Sequence, residues 1–160
     1  MEFYLKMFRL SQKTDYGLIL LSSLAKLHSG SEAKAVLSSH SRSVTKGQFV
    51  SIASVASRNK LSPKFLSQIA RELKGAGILK SKEGVSGGYN LAKKPKKIKI
   101  IDVLNVLEGK FFEGRCFEEE GRCICGANII WKDMKNQVEA VLGGKSVTDL
   151  IKFEPNSHLK

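Results

Sequence analysis

Long hydrophobic runs are missing from this chain of 160 residues. Crossing a bilayer as a helix takes about 20 consecutive apolar residues. The nearest approach, residues 17–27 (GLILLSSLAKL), is reached past Asp15 and broken by Ser22, Ser23 and Lys26. It has no small-x-small cleavage site after it, so it reads as an amphipathic helix rather than a signal segment. The expectation is a cytoplasmic protein with no membrane partner. Cysteine is scarce and odd in number, three in all. That is no disulfide framework, and in a reducing compartment it points to metal or redox chemistry. Histidine is as scarce, no histidine lies near the cysteines in sequence, and no nucleophile–base set is visible. The chain is therefore not expected to be an enzyme.

Acid is also in short supply: 15 Asp+Glu face 27 Lys+Arg, a formal charge of +12 and a pI near 9.7. Such a surface attracts polyanions, nucleic acid before acidic membranes; solubility alone is the plainer alternative. The 42% hydrophobic content allows an ordinary core, and the length suits one compact domain or a domain with a long appended helix.

Along the chain, Thr14 is a candidate helix cap with Asp15 in the first turn. Tyr16, Leu20, Leu24 and Leu27 recur at steps of three or four as one buried stripe. Residues 28–47 are polar and serine-rich and read as a mobile loop. Ile52, Val55 and Ala56 form the apolar side of a short helix, followed by an Arg58-Asn59-Lys60 turn. Ser62-Pro63 is a strong helix start, because serine can accept from a free backbone N–H and proline at the first position forfeits none. That helix runs to about Lys74, where Gly75 and Gly77 stop it. Leu66, Ile69, Ala70 and Leu73 make its core stripe, while Lys64, Ser67, Gln68, Arg71 and Lys74 share the opposite arc.

Donors, cations and small hydroxyls on one arc suit a helix entering a DNA major groove, though a merely solvated face looks the same. The sequel favours DNA. Residues 78–81 and 89–91 flank a glycine-rich reversal (EGVSGG), which is strand, turn, strand: a β-wing. Lys82 lies at its base, and Gly87 and Gly88 allow positive φ or close backbone approach to a phosphate. Lys93, Lys94, Lys96, Lys97 and Lys99 then form a basic run suited to backbone neutralisation.

Residues 100–108 read as a helix closed by Gly109, and the loop at 110–126 holds Cys116, Cys123 and Cys125. Thiolates suit zinc, copper(I) or iron–sulfur clusters, but the C-x6-C-x-C spacing fits neither a zinc finger nor a ferredoxin. A fourth ligand has to come from Asp15, a histidine, Asn128, solvent or another subunit; inert free thiols are the alternative. Residues 127–142 form an amphipathic helix with Ile130, Met134, Val138 and Val141 in one row. Either a partner subunit or the chain's own core covers that row.

Taken in order, these segments resemble the Rrf2 family of bacterial transcription regulators from Phe8 to Ile151. FRLSQKTDYGL resembles its opening helix, LSPKFLSQIARELKGAGIL its recognition helix, and GVSGGYNLAKKP (with Tyr89) its wing. IDVLNVLEG resembles the helix before its sensor loop, and the cysteine loop, Trp131 and SVTDLI complete the order. The resemblance implies a homodimer on double-stranded DNA. It also implies a 2Fe–2S or 4Fe–4S cluster on Cys116, Cys123 and Cys125, with Asp15 of the other subunit as a possible fourth ligand. Asn128 stands where iron–sulfur biogenesis relatives use histidine. The single residue between Cys123 and Cys125 departs from the family's wider spacing, and Glu83 stands where relatives often carry arginine.

The expected fold is mainly α with a small β-wing (α+β), a winged helix-turn-helix with a long C-terminal dimerisation helix. Residues 8–100 form the DNA-binding domain, and 101–151 the sensor loop and dimerisation helix. Ser62, Lys64, Ser67, Gln68, Arg71, Lys74, Lys82, Gly87, Gly88 and Tyr89 are the candidate DNA contacts. The expected function is regulation of transcription in response to iron–sulfur status, nitric oxide or redox state; the alternative is a cluster-free regulator governed by a protein partner or thiol oxidation.

Overall fold

The computed structural model describes residues 11–29, 49–109 and 126–152. The first helix, α1 (Gln12–Ser29), is the central one: it packs on α2 (Ile52–Asn59), α3 (Pro63–Gly75), α4 (Ile100–Glu108) and the short α6 (Val147–Lys152). Leu20, Leu21 and Leu24 of α1 are buried with Val55, Leu66, Ile69, Leu73, Val103, Leu107 and Val147 in one cluster. Each leucine so buried contributes about 1.5–3 kcal/mol. Tyr16 meets Phe65 edge-on, ring centroids 5.5 Å apart, which adds a directional contact between α1 and α3. Gly17 lets α1 approach α4 closely, since a Cβ there would stand 2.3 Å from Leu107 Cδ1.

The start of α1 corrects the sequence expectation. Ser11, not Thr14, precedes the helix, and Thr14 is a buried residue of its first turn. In a capping box the residue three beyond the cap is an acid or amide that reaches back to the cap's backbone N–H. Here that position holds Thr14, and the acid arrives from elsewhere. Glu108, the last residue of α4, accepts the Ser11 backbone N–H at 3.0 Å and the Ser11 and Thr14 hydroxyls.

Strands β1 (Leu79–Lys82) and β2 (Gly88–Leu91) pair antiparallel, Leu79 opposite Leu91 and Lys82 opposite Gly88. Val50 extends the pairing on the far side of β2: its N–H and C=O exchange hydrogen bonds with Tyr89 at 2.9 and 2.8 Å. The expected mainly helical fold with a small β-wing is thus present.

Beyond the wing, a 3-10 turn (Pro95–Lys97) leads into α4. Residues 98–100 are tied to 145–147 through Val147 N–H to Ile98 O (3.0 Å) and Ile100 N–H to Lys145 O (3.1 Å). This fixes the C-terminal end of the 18-residue α5 (Gly126–Gly143) beside the start of α4. The Lys99 ammonium donates to Gly143 O at 2.9 Å, a cation on a helix C-terminus. Lys99 therefore serves the fold, though it is exposed, as are Lys93, Lys94, Lys96 and Lys97. Ser146 and Asp149 form a local capping box at α6, the Ser146 N–H and hydroxyl each 2.9 Å from the carboxylate. These bonds hold the Asp149 carboxyl below its ordinary range.

Ile129, Ile130 and Val141 of α5 are 74, 68 and 64% exposed, while Leu142 packs partly on the core. Much of the helix's apolar surface is left uncovered by the described residues. No described helix is long and apolar enough to cross a membrane.

Candidate nucleic-acid interface

Two short helices and the turn between them form the centre of the candidate site. Ser51 caps α2 by accepting the Ser54 N–H at 3.2 Å. Asn59 is the last helical residue, so the turn is narrower than the expected Arg58-Asn59-Lys60 and is centred on Lys60. Lys60 takes the left-handed conformation (φ 54°, ψ 41°), with Lys60 N–H on Ser57 O and Leu61 N–H on Ala56 O. That pair of bonds is a Schellman closure.

Ser62 then caps α3, its hydroxyl oxygen accepting the Phe65 N–H at 3.4 Å, with Pro63 in the first turn. Leu66, Ile69, Ala70 and Leu73 are wholly buried, which fixes the helix's rotation about its axis. Lys64, Gln68, Arg71 and Lys74 are exposed, as the periodicity requires. Ser67 is half-buried and donates its hydroxyl to Pro63 O at 2.8 Å, so toward a base it can still accept but has no second proton to donate. Glu72, the lone acid of α3, lies 2.7 Å from Lys13 of α1, so its charge is matched by α1.

The far end of α3 directs the wing. Ile78 N–H bonds Leu73 O at 2.9 Å and Gly77 N–H bonds Lys74 O at 3.0 Å, with Gly77 at φ 70°. Gly75 is still helical, so Gly77 alone acts as the stop. Two residues later β1 begins and packs on α3. Lys82 is exposed at the end of β1, and Val85 projects fully into solvent from the reversal.

Gly87 and Gly88 have a more specific reason to be glycine than phosphate approach. A Cβ on Gly87 would lie 2.3 Å from Lys82 O, and one on Gly88 2.3 Å from Val50 O, with Gly88 at φ 140°. The close approaches are to the chain's own backbone, and they let the wing close and dock beside α2. Tyr89, half-buried, supplies the Val50 bridge through its backbone.

Cys116, Cys123 and Cys125 lie outside the described residues. Among the described residues, Asp15 is exposed in the first turn of α1 and Asn128 is buried near the start of α5. No group of three metal-type ligands occurs among the described residues. Glu108 and Gly109 are the last described residues before the cysteine segment. Partial burial alone would raise the Glu108 carboxyl, but the bonds from Ser11 and Thr14 and the nearby Lys13 charge hold it below its ordinary value. Sequence reasoning missed Glu108 because its partners are 94 and 97 residues away; the one signal was a serine before a helix with no acid three residues on.

Comparison with known proteins agrees with this geometry. Residues 36–153 match the model of the Rrf2 family, described as iron-dependent transcriptional regulator. The HTH-type transcriptional regulator CymR of Bacillus subtilis is 29% identical over 145 residues, 91% of each chain. The structure of CymR, described as the global cysteine regulator of B. subtilis, aligns over 92% of this chain and 99% of its own, with a TM-score of 0.69 and 29% identity. That of T. potens IscR aligns over 96 and 93%, with a TM-score of 0.67 and 27% identity.

Proposed function

Since this chain belongs to the Rrf2 family of transcriptional regulators, we propose that it acts as a homodimer whose two α3 helices enter successive major grooves of double-stranded DNA about one helical turn apart. The observation that carries this reading is the division of α3: four wholly buried residues on one side, and Lys64, Gln68, Arg71 and Lys74 exposed on the other. Gln68 and Ser67 read base edges, Gln68 as donor and acceptor and Ser67 as acceptor; Lys64, Arg71 and Lys74 serve bases or phosphates. Ser62 sets the start of the helix. Lys82 contacts phosphate, while Gly87, Gly88 and Tyr89 shape the wing that carries it. No part of this work is enzymatic, in keeping with relatives that are transcriptional regulators.

A second copy of the chain is the natural cover for Ile129, Ile130 and Val141 of α5. Functionally, residues 8–100 form the DNA-binding part and 101–151 the sensing and dimerising part. Cys116, Cys123 and Cys125 are soft thiolate donors suited to an iron–sulfur cluster, and the exposed carboxylate of Asp15 can complete the set from the partner. When bound, such a cluster would supply a redox- and nitric-oxide-reactive centre. A signal there changes DNA affinity only as far as it binds the two dimer arrangements differently, typically by 1–3 kcal/mol. A second reading, in which the same fold works without a cluster under thiol oxidation or a protein partner, draws support from the likeness to a CymR structure described as an oxidized form.

Selection from randomised duplexes tests the DNA-binding reading. It should return a two-fold symmetric motif with half-sites one helical turn apart; an unstructured or asymmetric pool would contradict it.

A further inference from the structure

We propose that Lys60, in the turn between α2 and α3, contacts a backbone phosphate of DNA and seats the start of α3 in the groove; this rests on the DNA-binding reading above. Lys60 is the one non-glycine residue with positive φ among those described. Left-handed backbone crowds a Cβ against the neighbouring carbonyl, so glycine, or asparagine, is the usual occupant. The chain itself supplies the contrast. The same Schellman closure at the end of α3 is made with Gly77 at φ 70°, and turns of helix-turn-helix units often contain glycine. The backbone at position 60 asks for glycine, so the lysine side chain has another use.

That use is not found among the described residues. Lys60 is exposed, and its ammonium takes part in no hydrogen bond or ion pair among the described residues. Its neighbours in the sequence have one sign of charge. No acid occurs in the sequence between Glu32 and Glu72, a stretch that contains all of α2, the turn and α3 as far as Arg71, whereas Arg58, Lys60, Lys64 and Arg71 all fall within it. When the second helix of such a unit lies in the major groove, its N-terminal residues meet base edges while the preceding helix crosses the sugar–phosphate backbone. A turn two residues before the Ser62 cap therefore lies beside phosphate. The ligand class is a phosphodiester, held by charge without regard to sequence.

Three variants separate charge from backbone strain: Lys60→Gly, Lys60→Gln and Lys60→Arg, with Arg71→Ala as a control. Each is titrated against a labelled mixed-sequence duplex of about 30 base pairs, three helical turns, over a range of salt, and unfolded in urea. K60G should raise the urea midpoint yet bind several-fold more weakly, with a salt slope smaller by about one unit. K60Q should lose the same affinity with no gain in midpoint, and K60R should bind like wild type. If K60G and K60Q bind like wild type with an unchanged slope while R71A is weakened, Lys60 touches no phosphate and the DNA-binding reading stands. If wild type itself ignores the duplex at low salt, that reading falls and the Lys60 contact with it.

Discussion

Glu108 closes the N-terminus of a helix whose cap, Ser11, lies 97 residues before it: its carboxylate accepts the Ser11 backbone N–H at 3.0 Å, with the Ser11 and Thr14 hydroxyls on the same oxygen. One acid thereby joins the last turn of α4, next to the cysteine segment, to the first turn of α1, where Lys13 holds Glu72 of α3. Replacing Glu108 with Ala should lower stability by about 1 kcal/mol, the usual worth of a helix cap. The sign with pH follows from the carboxyl's lowered pKa in the folded chain. The stabilisation is fully present above the unfolded carboxyl's pKa and fades as pH falls below it. Urea midpoints of wild type and E108A should therefore differ at pH 7 and converge in acid; a constant gap at all pH values would contradict the cap's electrostatic part.

Gln68 and Lys96 should fail in different ways. Gln68→Ala should cost about 1–3 kcal/mol on the selected duplex and little on a scrambled one. Lys96→Ala should weaken both alike and flatten the salt dependence. Anisotropy titrations on the two duplexes at several salt concentrations read both effects. Equal losses for Gln68→Ala on cognate and scrambled DNA would remove its reading role.

Gly88→Ala puts a Cβ 2.3 Å from Val50 O at φ 140°, where neither backbone can yield easily. The variant should lose roughly 2–4 kcal/mol of stability, and the Val50 and Tyr89 amides should lose hydrogen-exchange protection. Unchanged stability with weakened DNA binding would instead make Gly88 a direct phosphate neighbour.

The cysteines are tested by anaerobic purification. A cluster gives visible absorbance with stoichiometric iron and sulfide, lost in Cys116→Ser and Cys125→Ser and altered in Asp15→Ala. Colourless, iron-free protein whose DNA affinity changes on mild oxidation favours the cluster-free reading.

How legible the fold was depended on the range of the determining interactions. The α3 helix could be read because its signals are local: Ser62-Pro63 at the start, Gly77 at the end, and a 3.6-residue stripe between them. The wing could be read from glycines between short strands, but not the reason for Gly87 and Gly88, which lies in the carbonyls of Lys82 and Val50. Thr14 looks like a cap in the sequence because the acid partner of Ser11 is 97 residues away, at the end of α4. Lys60 gave no signal, since a lysine in a polar turn looks ordinary until its φ is known. On α5, an apolar row in the sequence cannot say what covers it, and among the described residues Ile130 and Val141 stay exposed.

Dimethyl sulfate protection on the selected duplex tests most directly whether α3 lies in the major groove, because the reagent attacks guanine N7, which faces that groove. Wild-type protein should shield guanines in two patches about 10 base pairs apart, and Gln68→Ala should unshield at least one position in each. Binding that leaves every guanine N7 reactive would mean that the polar side of α3 does not face the bases.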